Sequence, residues 1–200
     1  TKDDLIKKDP KSAEIIKPIL RGKDIKRYYA KFADKWLIAS HNGYKKENGE
    51  IVEAVNIENY PAVKEWLDRY WKKISKRQDK GRTPYNLRDC AYWQEFEKEK
   101  IVYSEIVRKP QFYFDKNKFY VEATSFLMTG QNLKFLISIL NSKPFAYFFK
   151  RFYAGGGLGD EGYRYKKAFL ERVPIPKISP EKQKPFIKLV DQILEITSQP

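Results

Sequence analysis

The sequence predicts an α+β fold, a twisted and mostly antiparallel sheet with packed helices and a C-terminal amphipathic helix. Three observations point there. Strand-like runs rich in β-branched and aromatic residues follow one another at 100–107, 111–115 and 118–129. Apolar residues at helical spacing occupy 61–76, 132–142 and 181–197. With 200 residues, 42 % of them hydrophobic, the chain is large enough for one domain with its own core. Residues 1–200 are read as that domain, with a helix over 180–197 packed back on it.

The elements follow in chain order. Residues 12–20 (SAEIIKPIL) read as a short helix with Ser12 as N-cap and Gly22 as stop, against which Pro18 counts. Residues 27–40 are aromatic and partly alternating, which suggests strands around an Ala33-Asp34 turn. A polar loop with two Asn-Gly steps spans 41–50. Pro61 opens the clearest helix, 61–76, whose Val63, Trp66, Leu67, Tyr70, Trp71 and Ile74 share one face. The segment 75–88 is a basic loop, and 89–100 holds a short helix. Asp115-Lys116-Asn117-Lys118 is a hairpin-turn candidate between the second and third strand runs. Residues 132–142 are apolar nearly all round and should form a buried helix, followed by a second helix over 143–153. Three prolines keep 173–180 extended, and Phe186, Ile187, Val190, Ile193 and Leu194 mark the core face of the closing helix.

Catalytic chemistry finds little support. His41 is the sole histidine and reads as a surface residue; Cys90 is the sole cysteine, so neither a His-Cys zinc set nor an intrachain disulfide can form. The single thiol suits a reducing cytoplasm. No Glu-x-Lys of the metal-dependent nuclease type occurs. Gly157, Gly159 and Gly162 satisfy the dinucleotide spacing, but a helix-like segment precedes them and Asp160 and Glu161 sit where a pyrophosphate would lie. No cofactor and no metal is therefore expected in this segment. No apolar run reaches the roughly 18 residues of a membrane helix.

The formal net charge of +14 favours an anionic partner, and nucleic acid is the commonest. The basic residues gather at loops and element ends, interleaved with tyrosine. Candidate DNA contacts are Arg21, Lys23, Lys26 and Arg27; Lys76, Arg77, Lys80, Arg82 and Arg88; Arg108; Lys150 and Arg151; and Tyr163, Arg164, Lys166 and Lys167. The glycine run Gly155 to Gly162 is read either as a mobile connection that delivers the last four or as a plain flexible loop beside a core strand.

Four blocks carry a family resemblance: IIKPILRGKDIKRYY (15–29), FLISILNSKPFAYFF (135–149), YRYKKAFLERVPIPK (163–177) and KQKPFIKLVDQIL (182–194). In this order they resemble the TaqI-like C-terminal specificity domain, the target-recognition part of restriction-modification enzymes and adenine-N6 DNA methyltransferases. The order helix, Asn-Ser, lysine-rich strand, Pro-Ile-Pro, helix is also similar to specificity subunits of multisubunit restriction systems. The resemblance implies double-stranded DNA as partner and a methyltransferase domain in cis. S-adenosylmethionine, and magnesium where the parent enzyme also cleaves, would belong to domains outside this segment. The sequence does not begin with Met, and the expectation is a piece of a longer protein. Two other readings stay open on the residues alone, a self-contained nucleic-acid enzyme and a protein-docking module.

Overall fold

The computed structural model describes residues 1–153 and 162–198. The fold is α+β, and backbone contacts divide it into two compact units. The first comprises Thr1–Pro18 and Asp34–Glu97, the second Ile19–Ala33 and Lys98–Pro200.

The first unit opens with α1 (Lys2–Lys8), capped by Thr1, whose hydroxyl accepts the Asp4 N–H while Asp4 answers back. A 3-10 turn over Pro10–Glu14 leads into β1 (Ile16–Leu20). Its first three residues pair antiparallel with β2 (Trp36–Ile38), setting Ile16 against Ile38 and Pro18 against Trp36. Of the expected 12–20 helix, residues 12–14 belong to the 3-10 turn and Ile16–Leu20 is strand. Ile15, Ile16 and Ile19 are β-branched, and Pro18 lacks the N–H that a helix needs. β3 (Tyr44–Lys45), within the expected polar loop, forms a hairpin with β4 (Ile51–Val52), just after it, and Gly43 and Gly49 have positive φ where the two Asn-Gly steps fall. The expected 61–76 helix breaks in two, α2 (Pro61–Asp68) and α3 (Trp71–Ile74). Val63 is fully buried and Leu67 packs beside it, whereas Tyr70 and Trp71 are 44 % and 43 % exposed, so the apolar face stops at the break. A 3-10 turn over Trp93–Glu97 closes the unit.

The second unit is built on β5 (Lys100–Ser104). It lies between β7 (Phe112–Asp115) and β9 (Ser125–Met128), antiparallel to both. β6 (Ile106–Val107) pairs with β10 (Tyr163–Arg164), and β8 (Tyr120–Val121) runs parallel to the last two residues of β1. β7 and β8 do not pair, so the 115–118 turn joins strands of different sheets; the Asp115 carboxylate accepts the N–H groups of Asn117 and Phe119 at 2.8 Å and steers the chain away. The apolar segment 132–142 is α4 (Leu133–Leu140), followed by α5 (Lys143–Phe152) and α6 (Lys167–Leu170). α7 (Pro180–Ser198) folds back on α4 through Phe135 against Phe186 and through Lys134 Nζ bonded to Asp191 at 2.6 Å. Between the sheet and these helices lies a core of Ile101, Tyr103, Phe112, Ile137, Phe145, Phe149 and Tyr165.

Two buried polar contacts fix the register of this unit. Lys100 Nζ meets Asp115 Oδ2 at 2.7 Å with both side chains wholly buried, across the pair that begins β5 and ends β7. Asn141, just past α4, accepts the Phe112 N–H at 3.1 Å and donates to the Phe112 carbonyl at 2.9 Å. A buried charge left without its partner costs about 3–5 kcal/mol, while an uncharged pair of similar shape costs little. Lys100→Met should therefore lower stability by about that amount. Asp115→Asn introduced on top of it should recover part of the loss, as read from urea denaturation midpoints. A double variant no more stable than Lys100→Met would show that the pair does not work in this way.

Candidate nucleic-acid interface

The RGKD turn, a basic segment of the second unit, is held by a set of side-chain hydrogen bonds. Gly22 lies against the sheet, and a Cβ there would come within 2.7 Å of the Ser104 hydroxyl. Its N–H donates to Glu122 Oε1 at 3.3 Å. Asp24 is buried and binds Arg21 three times: the backbone N–H at 3.0 Å, and Nε and Nη2 each at 2.9 Å. These bonds hold the Asp24 carboxyl below its ordinary range and raise the Arg21 guanidinium. Arg21, with Glu122 also near, is thus committed to the turn. Lys23 and Arg27 are exposed on either side of Lys26, whose Nζ donates to the Lys23 carbonyl at 2.7 Å. The Arg27 guanidinium lies 5.5 Å from the Tyr28 ring centroid.

The β6–β10 ribbon brings two distant basic segments together. Arg164 stands opposite Ile106, and exposed Arg108 follows directly on β6. Arg164 Nη1 lies 3.7 Å from Glu105. Tyr163 is a correction to the expected set: it is only 5 % exposed, its hydroxyl 3.2 Å from that of the fully buried Tyr165. The alternation of a strand turns both tyrosines into the core, where burial raises both phenol pKa values, and leaves Arg164 and Lys166 pointing the other way. Lys166 and Lys167 are exposed, the latter 3.5 Å from Glu171 on the next turn of helix. Of the glycine run, Gly155 to Gly159 lie outside the described residues, as do Asp160 and Glu161. Lys150 and Arg151 are exposed in the last turn of α5, and Tyr147, one helical turn earlier, is 74 % exposed. Tyr147 is not among the expected contacts, since the sequence places it only in the second helix over 143–153; its spacing from Lys150 and Arg151 is the signal that marks it.

In the first unit Lys76, Lys80, Arg82 and Arg88 are exposed, and Arg77 turns inward to the carbonyls of Pro84 and Asn86. His41 is half-buried rather than a surface residue, between the rings of Tyr44 and Trp93 at 5.1 and 5.3 Å, and burial lowers its pKa.

A cleft of about 610 Å³ in the second unit is lined by Tyr28, Tyr29, Lys116, Asn117, Asp191 and Glu195, a mixture of charges that does not select an anion. Among the described residues, no group of three or more His, Cys, Asp or Glu side chains is placed to hold a metal ion. Nor, among them, is any helix long and apolar enough to cross a membrane.

The family model of the TaqI-like C-terminal specificity domain matches residues 17–175, most of the chain. The chain belongs to this family. It is a DNA-recognition specificity domain of restriction-modification enzymes. No curated protein matches it. Within this specificity domain the matched span begins inside β1, two residues before the second unit, and ends beyond α6, so it takes in the RGKD turn, the Asn141 joint and the β6–β10 ribbon.

The Arg21–Asp24 pair gives a pH signature. A carboxyl whose folded pKa is depressed contributes stability that is whole above its unfolded value of about 4 and is lost as pH falls through the folded value. The stability difference between the parent and Asp24→Asn should therefore be constant from pH 7 to about pH 5 and shrink below about pH 4. Denaturation curves across that range measure it, and a difference unchanged down to pH 2 would mean that the pair does not depress the carboxyl.

Proposed function

We propose that this chain is the target-recognition domain of a site-specific adenine-N6 DNA methyltransferase, and that residues 1–200 serve as one recognition domain on duplex DNA. The observation that carries the reading is the family match over 17–175. The net charge of +14 and the exposed cations on turns and helix ends support it. In this reading Lys23, Arg27, Lys150, Arg151, Lys166 and Lys167 neutralise phosphates, since compact or flexible cations on a surface fix position without reading sequence. Arg21 shapes the turn that bears Lys23, and Arg77 shapes the 75–88 loop.

The reaction belongs to a methyltransferase domain in cis, in the cytoplasm. That domain would hold S-adenosylmethionine and receive the adenine turned out of the helix; a nuclease domain with its magnesium, where the parent has one, would also be separate.

The test is titration of fluorescent duplex DNA with the chain between 50 and 200 mM salt. Contact with about five phosphates gives a log-log slope near −4 to −5. Adding S-adenosylmethionine and magnesium should produce neither methylation nor cleavage. A flat salt response would support a protein-docking module instead, and reproducible turnover by the pure chain a self-contained enzyme.

A further inference from the structure

We infer that the loop 75–88 is a preorganised base-reading element, with Gln78, Arg82 and Arg88 as the reading side chains; the inference rests on the DNA-recognition function above. The loop carries five cations, Lys76, Arg77, Lys80, Arg82 and Arg88, against one carboxylate, Asp79. Only one backbone bridge, between Lys80 and Leu87, gives it sheet-like order. Connections beyond about 12 residues without secondary structure are uncommon in compact domains and are usually functional or disordered.

This loop is held tightly. Asn86 is 2 % exposed and donates to the carbonyls of His41 at 3.2 Å and Val55 at 2.9 Å, while accepting the Thr83 hydroxyl at 2.6 Å. Its own carbonyl accepts Arg77 Nη2 at 2.6 Å and the Gly81 N–H at 3.0 Å. Asn42 reaches in from the preceding segment to accept the Arg82 N–H at 2.6 Å. A methyl group at Gly81 would run into the Asn42 side chain and the Leu87 carbonyl. Leu87 donates to Ser40, whose hydroxyl donates to Tyr85.

All of these bonds point inward and hold the backbone. None of them engages the side chains of Gln78, Arg82 or Arg88, which are exposed. A plain connecting loop would need neither the internal scaffold nor this outward set. A rigid loop loses little freedom on binding and holds its side chains where a base edge must meet them. Arginine pairs with guanine O6 and N7, and glutamine with adenine N6 and N7. The Arg82 guanidinium makes one exposed contact of its own, donating from Nη1 to Glu53 at 3.3 Å. Lys76 and Lys80, as point charges, suit phosphates.

The test is selection by the parent chain, and by single alanine variants, from a pool of duplexes randomised over about ten base pairs. Gln78→Ala, Arg82→Ala and Arg88→Ala should each flatten the preference at one or two base pairs. Each should also weaken binding to the preferred duplex by about 5- to 150-fold, with little change for the unselected pool. Lys76→Ala and Lys80→Ala should weaken all duplexes alike and reduce the salt slope by about 1 each. These side chains are exposed, so circular dichroism should report an unchanged fold. If the parent selects a sequence and all three reading variants select it with unchanged affinity, this inference is wrong and DNA recognition rests on the second unit. A parent that selects nothing from the pool overturns the recognition function and this inference together.

Discussion

Asn141 is the joint on which the second unit depends. A strand at the edge of a sheet leaves backbone groups without partners, and burying them costs free energy. Phe112 on β7 has its N–H and carbonyl turned away from β5, and the Asn141 carboxamide meets both. The Tyr28 N–H adds a third bond, to the same carbonyl at 2.9 Å. One side chain thus ties the end of α4 to β7, at the point where the segment after the RGKD turn also arrives. Ser142, the next residue, accepts the Phe145 N–H and starts α5, so a two-residue Asn-Ser step ends one helix, seals a sheet edge and opens the next helix. At the other end of β7, the Lys100–Asp115 pair fixes its register against β5.

Within each unit, polar side chains divide into those that hold the backbone and those that face the solvent. Asp24 takes up Arg21, and Asn86 takes up Arg77 through its carbonyl. What remains outside is a surplus of lysine and arginine beside exposed Tyr29 and Tyr147. This division suits a protein that recognises a polyanion: rigid turns lower the entropy lost on binding, and flexible cations between them attract phosphate without demanding one geometry.

Much of this was legible in the sequence. The α+β class, the 100–129 strands, the α4–α5 pair and the closing helix follow from periodicity, and the family resemblance rested on segments whose roles the structure explains. RGKD is a turn in which glycine sits close to the Ser104 hydroxyl and a buried aspartate binds the arginine three residues earlier. Other features were hidden because tertiary partners decide them. Ile16–Leu20 is a strand because β2 and β8 are there to pair with it. The α2 helix ends at Asp68, where its apolar spacing continues but its core does not. Tyr163 looks like a partner for DNA beside Arg164, yet a two-residue strand puts the two on opposite faces. The scaffold role of Asn86 could not be read from spacing, since its partners His41 and Val55 lie far from it in sequence.

The central claim is that rigid turns in this specificity domain present basic side chains to duplex DNA. Hydrogen–deuterium exchange of the chain with and without saturating duplex tests it most directly, because it reports contact segment by segment. The account predicts that duplex slows exchange at 76–88, at 23–27 and around Lys150–Arg151, and leaves α7 unchanged. Protection confined to α7, or none at saturating duplex, would contradict it.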